Sequence, residues 1–340
     1  MTLQLIADIG GTNTRCALIG SDGHYRKVRR MRNADSASLT AALLTYLDNV
    51  GQPPLAAAAL SVAAPVSDAD RIGLINIDWT FSRAALQDVL GVKRLLVCND
   101  FVALAHALPA LESNDLHVVQ RGQRQAGAPR VVIGPGTGLG MSILMPIGGG
   151  RHVAVPGEGG HVTQAARTPR EQAIVNLLQP IHGHVSAERL LSGSGLQRIH
   201  ACLQALDAGS TELPPAEQWQ SAAAISAAAL AGDRLADNAL ETFFLLLATT
   251  AGNLAVTAGA FGGVYLAGGI LPRCLQRLEQ SGFIARFIDR GRYRDYLAAM
   301  PVAVITHPLP AFPGLQQLLQ QADHADAPAT PDRSRAHRPG

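Results

Sequence analysis

The chain has 340 residues, and a typical domain size of about 150 residues predicts about two domains. Hydrophobic residues make up 47% of the chain and charged residues only 16%, so it can bury substantial cores and is not disordered as a whole. The 28 basic and 26 acidic residues leave a net charge of +2 at pH 7, too small a bias to favour nucleic acid or an anionic membrane. We therefore expect partners to be recognised at a local site.

The apolar pattern predicts alternating strands and helices, which is typical of an α/β protein. In chain order, we expect strands at residues 3–7 and 15–19, a helix at 36–50, a strand at 56–63, a helix at 82–90, strands at 95–98, 131–133 and 141–145, helices at 222–231 and 235–261, and a strand at 264–267. Glycine-rich turns at 8–13 and 134–140 each join two strands. This repetition suggests two related halves that face each other, although two independent hairpins would give the same pattern.

Cysteine usage and one long uncharged stretch bear on the compartment. The four cysteines (Cys16, Cys98, Cys202 and Cys274) lack CxxC spacing, so we expect reduced, buried thiols rather than a zinc site or disulfides. No charge occurs between Glu241 and Arg273, but threonines, an asparagine and glycines interrupt this stretch, which favours a buried helix and strand over a membrane span. The N-terminus lacks a signal-peptide pattern, so we expect a soluble, cytoplasmic protein. Residues 322–340 contain no Leu, Ile, Val, Met or aromatic residue and are expected to form a disordered tail.

The two glycine-rich turns are suited to hold phosphate groups. Without a Cβ, consecutive backbone N–H groups can converge on phosphate oxygens, and threonine adds a hydroxyl donor. Neither turn has the Gly-Lys-Ser/Thr ending of a Walker A loop, and neither leads into the helix of a dinucleotide-binding unit. Two such turns favour a nucleoside triphosphate held between two hairpins. Asp8 precedes the first turn, and a carboxylate beside phosphates needs an intervening cation, so Asp8 is our candidate for holding Mg²⁺ through water.

Asn99 and Asp100 end a predicted strand, where open α/β sheets commonly carry reactive groups. An aspartate at this position can accept the proton of an attacking hydroxyl. The alternative is a capping role for the helical segment that begins at Phe101.

Three further polar residues predict a polyol site. Glu158 and His161 lie on the glycine-rich loop at 156–161, and Glu188 lies in Ser186-Ala187-Glu188-Arg189. Carboxylates and imidazoles make strong hydrogen bonds to sugar hydroxyls. Metal binding is the alternative for the loop, although its spacing matches no zinc motif. The alternative for Glu188 is a helix-surface acid paired with Arg189 or Arg198.

The motifs as a set carry a family resemblance. In chain order they are Asp8-Ile9-Gly10-Gly11-Thr12-Asn13, Asn99-Asp100-Phe101, the loop at 134–140, Gly157-Glu158-Gly159-Gly160-His161, Ser186-Ala187-Glu188-Arg189 with Ser192-Gly193, and Tyr265-Leu266-Ala267-Gly268-Gly269-Ile270. With them, the chain resembles a bacterial glucokinase of the hexokinase-like, actin/Hsp70 ATPase superfamily, from about residue 3 to residue 321.

The resemblance implies ATP-dependent phosphorylation of glucose at its 6-hydroxyl, a step that feeds glycolysis, by a homodimer. It implies two ribonuclease-H-like α/β domains flanking an active-site cleft: a smaller domain at 1–110 completed by a helix at 311–321, and a larger domain at 111–310. The implied ATP contacts are Ala7, Asp8, Ile9, Gly10, Gly11, Thr12, Gly134, Gly136, Thr137, Gly138, Gly268 and Gly269. The implied glucose contacts are Asn99, Asp100, Glu158, His161 and Glu188, with Asp100 as general base.

Two segments depart from the family pattern. Thr163-Gln164 replaces an acidic or aromatic continuation after the loop, and Pro310-Ala311-Phe312-Pro313-Gly314 replaces the usual Asn-Pro-Gly segment. A kinase for another hexose or an amino sugar therefore stays an alternative, as does a catalytically silent sugar sensor. A ROK-type repressor is excluded, because no cysteine lies between Cys98 and Cys202 for the zinc motif of that group and no DNA-binding helix pair precedes Leu3.

Overall fold

The structure, a computed structural model, describes residues 3–326. Its strands are β1 (Leu3–Ile9), β2 (Asn13–Ile19), β3 (Tyr25–Arg32), β4 (Leu55–Val62), β5 (Arg71–Gly73), β6 (Thr80–Ser82), β7 (Arg94–Asn99), β8 (Leu116–Gln120), β9 (Arg130–Pro135), β10 (Leu139–Gly148), β11 (Arg151–Gly157), β12 (Gly263–Leu266) and β13 (Val302–Ile305). Its helices are α1 (Leu39–Asn49), α2 (Arg83–Leu90), α3 (Asp100–Ala107), α4 (Pro169–His182), α5 (Ala187–Leu190), α6 (Gly193–Asp207), α7 (Ala222–Leu230), α8 (Arg234–Ala258), α9 (Leu275–Glu279), α10 (Phe283–Ile288), α11 (Arg294–Ala298) and α12 (Ala311–Asp326). Every strand and helix predicted from the apolar pattern is confirmed, with shifted ends.

The strands form two main sheets on one plan. The smaller sheet has the order β3-β2-β1-β4-β7, and the larger has β11-β10-β9-β12-β13 with β8 added at its edge. In each sheet an antiparallel three-strand meander is followed by two strands parallel to the first strand of the meander. The shared order supports the interpretation of two related halves.

The smaller sheet is covered on both faces, because side chains alternate along each strand. Leu5 belongs to the core that contains Leu43 of α1. Its neighbour Ile6 lies on the opposite face, in the core that contains Ala103 of α3 and Phe312 of α12. Helix α12, the last of the described helices, therefore completes the packing of the first sheet.

Helix α8 is the centre of the larger core. The Asp233 side chain caps its first turn by accepting the Ala236 N–H at 2.8 Å, and Gly259 ends it in a left-handed conformation. Phe243 and Phe244 are fully buried. This helix is the one described segment long and apolar enough to cross a membrane, yet 72% of its most apolar window is buried inside the protein. Core packing thus accounts for the uncharged stretch.

Other elements differ from the predictions or were not predicted. Strand β3 reads YRKVRRMR and lacks apolar alternation, because it is an exposed edge strand. Helix α12 continues to Asp326, so the expected disordered tail at 322–340 is wrong at its start; residues 327–340 lie outside the described part of the chain. Asp323 forms an ion pair with Arg94 of β7 at 2.6 Å, which ties this extra turn to the smaller sheet. All four cysteines are free, and Cys98 is half-buried while the others are buried.

Candidate active site

A cleft of about 780 Å³ lies where the ends of the two sheets meet. Fourteen of the residues named from the sequence line it, and they come from both halves of the chain: Asp8, Gly10, Gly11, Asn99, Asp100, Gly134, Gly136, Thr137, Gly138, Glu158, His161, Glu188, Gly268 and Gly269. Both glycine-rich turns and all the polar residues of the predicted polyol site therefore meet in one cavity.

Three of the expected ATP contacts do not line the cleft. Ala7 and Ile9 are fully buried, because their side chains point to the sheet face that packs against α1. Thr12 is exposed at the tip of the first hairpin, and its carbonyl oxygen accepts the Asn33 N–H at 2.9 Å. Alternation along β1 directs the Asp8 side chain to the cleft and the side chains of Ala7 and Ile9 away from it. ATP contact by Ala7, Ile9 and Thr12 stays a prediction.

Asp8 has two partners in the cleft wall. Its Oδ2 accepts a hydrogen bond from Arg15 Nη1 of β2 at 3.0 Å, and its Oδ1 accepts one from Ser61 Oγ of β4 at 2.8 Å. Both partners lie on strands that flank β1, at register positions directly beside Asp8. The carboxylate is thus fixed in orientation and partly neutralised before any ligand arrives.

Asp100 is the first residue of α3 and lies at the end of β7. Asn99 is the N-cap: its Oδ1 accepts the Phe101 N–H at 2.9 Å, and its Nδ2 donates to the Ala64 carbonyl at 3.2 Å. Asp100 Oδ1 accepts the same Phe101 N–H at 3.0 Å, so both residues take part in the cap, and the Asp100 carboxyl still lines the cleft. Burial, reinforced by the charges of Asp8 and Glu158, raises the pKa of Asp100 to about 7. A carboxyl with that pKa can accept a proton near neutral pH.

The second hairpin is built around Glu188. Glu188 Oε2 accepts the Leu139 N–H at 2.9 Å, which fixes the first residue of β10 to the first turn of α5. A Cβ on Gly138 would clash with the same oxygen, so a larger residue there would push the Glu188 carboxylate aside. Among the described residues, Glu188 forms no ion pair with Arg189 or Arg198. The surface-acid alternative is therefore wrong, because the carboxylate lines the cleft.

Glu158 and His161 bracket a 3-10 turn, Gly159–His161, directly after β11. The His161 N–H donates to the Glu158 carbonyl at 3.0 Å, which brings the two residues together at the cleft. Both are exposed to solvent and line the cavity. Within residues 3–326, no group of three or more His, Cys, Asp or Glu is arranged to hold a metal ion, which counts against the metal alternative.

The third glycine pair lies against the second hairpin. Gly268 has φ +94°, and a Cβ there would lie 2.1 Å from the Pro135 carbonyl oxygen. This position therefore requires glycine both for its backbone conformation and for space. The chain then runs through a 3-10 turn, Leu271–Arg273, whose last residue also lines the cleft.

Several residues that line the cleft were not predicted from the sequence. They include Arg15, Asn76, Arg273, Thr306 and His307. Arg15 and Arg273 lie a few residues after glycine motifs, so proximity to a motif could have indicated them. Thr306 and His307 follow β13, which carries no recognised motif and was not predicted.

The fold and the site together define the class of protein. Each of the two similar sheets contributes a glycine-rich hairpin to the cleft, and a carboxyl of raised pKa lies in the same cleft. This arrangement is that of a sugar kinase with the two-domain actin-like ATPase fold. A solved glucokinase from an Antarctic psychrotroph has this fold, with a TM-score of 0.82 and 33% identity over 94% of this chain and 99% of that one. A ROK family glucokinase from Streptomyces griseus, solved with glucose and AMPPNP, shares the fold at a TM-score of 0.63 and 19% identity over 94% and 99% of the two chains.

Sequence comparison narrows the class to one family. Residues 5–322 match the glucokinase family profile. The chain is 45% identical to the glucokinase of Chromobacterium violaceum, over 94% of this chain and 90% of that protein. The chain belongs to the glucokinase family and is a glucose kinase.

Proposed function

We propose that this enzyme transfers the γ-phosphoryl group of ATP to the 6-hydroxyl of glucose, with Asp100 as the general base. The observation that carries the proposal is the position of Asp100: a half-buried carboxyl with a pKa of about 7, in one cleft with both glycine-rich hairpins. In phosphoryl transfer, a protein mainly positions the reactants and neutralises charge. Asp100 accepts the hydroxyl proton as the oxygen–phosphorus bond forms, and the pair of electrons of the breaking bond goes to ADP.

Glucose is oriented by Glu158, His161, Glu188 and Asn99. Glu158 and His161 are exposed in the cleft and offer a carboxylate and an imidazole to sugar hydroxyls. Glu188 uses one oxygen to hold Leu139, so its other oxygen is available to the sugar. The Oδ1 and one Nδ2–H of Asn99 already form hydrogen bonds with backbone groups, so the second Nδ2–H is available to glucose. These groups direct the 6-hydroxyl towards Asp100.

The triphosphate is held by backbone N–H groups of the two hairpins, with the Thr137 hydroxyl and the Arg273 guanidinium. Asp8 fits an outer-sphere role for Mg²⁺, since both of its oxygens already accept hydrogen bonds and no cluster of direct metal ligands exists among residues 3–326. Mg²⁺ prefers to keep several waters and to bind substrate phosphates, and it supplies charge neutralisation there. The ATP analogue in the Streptomyces griseus enzyme supports ATP as phosphoryl donor.

We further propose that the chain divides at 1–110 with 311–321, and 111–310, and that these two domains close on glucose. Closure excludes water and suppresses ATP hydrolysis. The contacts of α12 with α3, β1 and β4 support assigning the last helix to the first domain. Small-angle scattering with and without glucose tests closure, and an unchanged radius of gyration contradicts it.

The enzyme is proposed to be a cytoplasmic homodimer. Edge strand β11 carries an apolar face that supports self-association: Val153 and Val155 are 45% and 44% exposed, and nearby Ile147 is 52% exposed. Sedimentation equilibrium of the wild type and of Val155→Lys tests this interface. A dimer that the substitution weakens is the expected result, and a wild-type monomer contradicts it.

A coupled assay for sugar phosphate tests the function. Glucose, mannose, fructose and glucosamine are compared at saturating ATP and Mg²⁺, and glucose is expected to have the highest kcat/KM. A preference for another sugar would support the alternative hexose or amino-sugar kinase. Glucose binding without turnover would support the silent sensor.

A further inference from the structure

Strand β3, at the outer edge of the smaller sheet, carries an unusual concentration of positive charge. Five of the 28 lysines and arginines lie within its eight residues: Arg26, Lys27, Arg29, Arg30 and Arg32. Charged side chains on an edge strand prevent the strand from pairing with another chain, and they do so whichever face of the sheet they lie on. The placement of two of these arginines indicates a more specific role.

Arg30 and Arg32 lie on the same face of the smaller sheet as the cleft residue Arg15, although neither of them lines the cleft itself. In the β2–β3 register, Arg15 is opposite Arg30, and Asn13 is opposite Arg32. Directly opposed residues share a face, and Arg15 is in turn opposite Asp8 of β1, which lines the cleft. Arg29 is opposite the buried Cys16 and therefore lies on the other face.

This basic face has a surplus of positive charge. Its one ion pair is between Arg15 and Asp8, at 3.0 Å. Arg30 Nε donates to Asn13 Oδ1 at 3.1 Å, which orients the guanidinium without neutralising it. Among residues 3–326, neither Arg30 nor Arg32 forms an ion pair with a carboxylate. Arg15 and Arg30 are directly opposite each other and, among residues 3–326, Asp8 is the one carboxylate paired with either, so two guanidinium groups share one counter-charge and an added anion is favourable there.

The cleft itself needs such a compensating charge. Four carboxylates line it, those of Asp8, Asp100, Glu158 and Glu188, and they repel an anionic ligand. Guanidinium groups match the geometry of phosphate oxygens and bind them in a fork. A basic face beside the acidic cleft is therefore suited to draw in and hold a phosphate group.

We propose that Arg30 and Arg32, together with Arg15, form a phosphate subsite at the rim of the cleft. The subsite binds a phosphate group of a cleft ligand, which is either the nucleotide or the phosphorylated sugar. The identity of these two ligands rests on the proposed function, whereas the presence of an anion subsite rests on the arrangement of the arginines.

Calorimetric titration with ADP and, separately, glucose 6-phosphate tests the proposal. Arg30→Ala and Arg32→Ala are compared with Arg29→Ala, which removes the same charge from the same strand on the opposite face. Each rim substitution is expected to weaken binding by about two- to fivefold at low salt, with the difference shrinking as salt screens the charges. Arg29→Ala is expected to bind as the wild type does.

The two ligands identify the source of the phosphate. Weaker binding of ADP alone assigns the subsite to the nucleotide, and weaker binding of glucose 6-phosphate alone assigns it to the sugar phosphate. Unchanged binding of both, or an equal loss in Arg29→Ala, overturns the proposal. The double variant Arg30→Lys/Arg32→Lys keeps the charge but not the fork of donors, so it is expected to bind more tightly than the alanine variants and less tightly than the wild type. An unchanged Tm of every variant excludes misfolding as the cause of a loss.

Turnover of glucose and binding of the two probes distinguish failure of the proposed function from failure of the anion subsite. If the wild type forms no glucose 6-phosphate while the rim substitutions still weaken binding of either probe, the proposed reaction fails and the anion subsite stands. If the wild type turns over glucose and the rim substitutions change neither affinity, the subsite fails and the reaction stands.

Discussion

Replacing Asp100 by Asn is expected to stabilise the folded enzyme above neutral pH while disabling it. The pKa of Asp100 rises from 3.8 to about 7 on folding, because burial and the charges of Asp8 and Glu158 disfavour its ionised form. Between these two values the folded chain binds more protons than the unfolded chain, so stability falls as the pH rises from about 4 to about 7 and then levels off. At 1.36 kcal/mol per pKa unit, the loss amounts to ~4 kcal/mol above pH 7.

Asparagine carries no charge, so the Asp100→Asn variant does not lose this folding stability as the pH rises. We expect Asp100→Asn to have a Tm on the order of 5–10 °C above the wild type at pH 8, and the gap to narrow as the pH is lowered towards 4. Thermal unfolding without ligands, followed at several pH values, measures it. Asp22→Asn is the control of opposite sign, because its hydrogen bonds with Arg26 and the His24 backbone lower the pKa of Asp22, so its removal gives no gain at high pH.

A Tm gap between Asp100→Asn and the wild type that does not depend on pH would contradict the raised pKa of Asp100 in the folded enzyme. It would mean that the Asp100 carboxyl is ionised to the same extent in the folded and unfolded chains. Burial of the Asp100 charge would then cost no stability, and the pKa of Asp100 would give no reason to expect a base that is active near neutral pH.

Three further substitutions separate the parts of the site. Gly138→Ala places a Cβ against Glu188 Oε2 and is expected to raise the KM for glucose by more than about tenfold, since it displaces a carboxylate that binds the sugar. Gly136→Ala has nothing within 4 Å of its Cβ and is the control for the glucose site alone: its KM for glucose is expected near that of the wild type, whereas its KM for ATP can rise because Gly136 belongs to the phosphate-binding hairpin. Asp8→Ala is expected to lower kcat and weaken the response to Mg²⁺ concentration in steady-state assays, and an unchanged Mg²⁺ titration would contradict its assigned role. Arg273→Ala is expected to raise the KM for ATP by about three- to tenfold and leave that for glucose unchanged, since it removes one charge-assisted contact; equal changes in both constants would argue for a general loss of structure.

Local pattern was sufficient for the parts of the fold that have strong periodicity. The strands around both glycine turns and the long apolar helix α8 are read from neighbouring residues alone, and each is confirmed. Edge strand β3 was not predicted because its sequence, YRKVRRMR, is mostly charged and exposed and shows no apolar alternation. The predicted start of the disordered tail, at residue 322, was wrong because Asp323 forms an ion pair with Arg94, which is distant in sequence.

The site could be predicted as a set of motifs but not as a geometry. Glycine turns and strand-end acids mark Asp8 and Asp100 locally, yet the pairing of Asp8 with Arg15 and Ser61 depends on strand register. The hydrogen bond from Leu139 to Glu188 joins residues far apart in the chain, so no local pattern carries it. His307 reaches the cleft only because β13 ends there.

The most direct test of Asp100 as the general base is the steady-state rate of Asp100→Asn with glucose, measured beside its affinity for ATP. A positioned general base contributes about 100- to 10,000-fold in rate, so kcat is expected to fall by that order while the Kd for ATP stays close to that of the wild type. A variant that keeps most of its kcat would contradict the account.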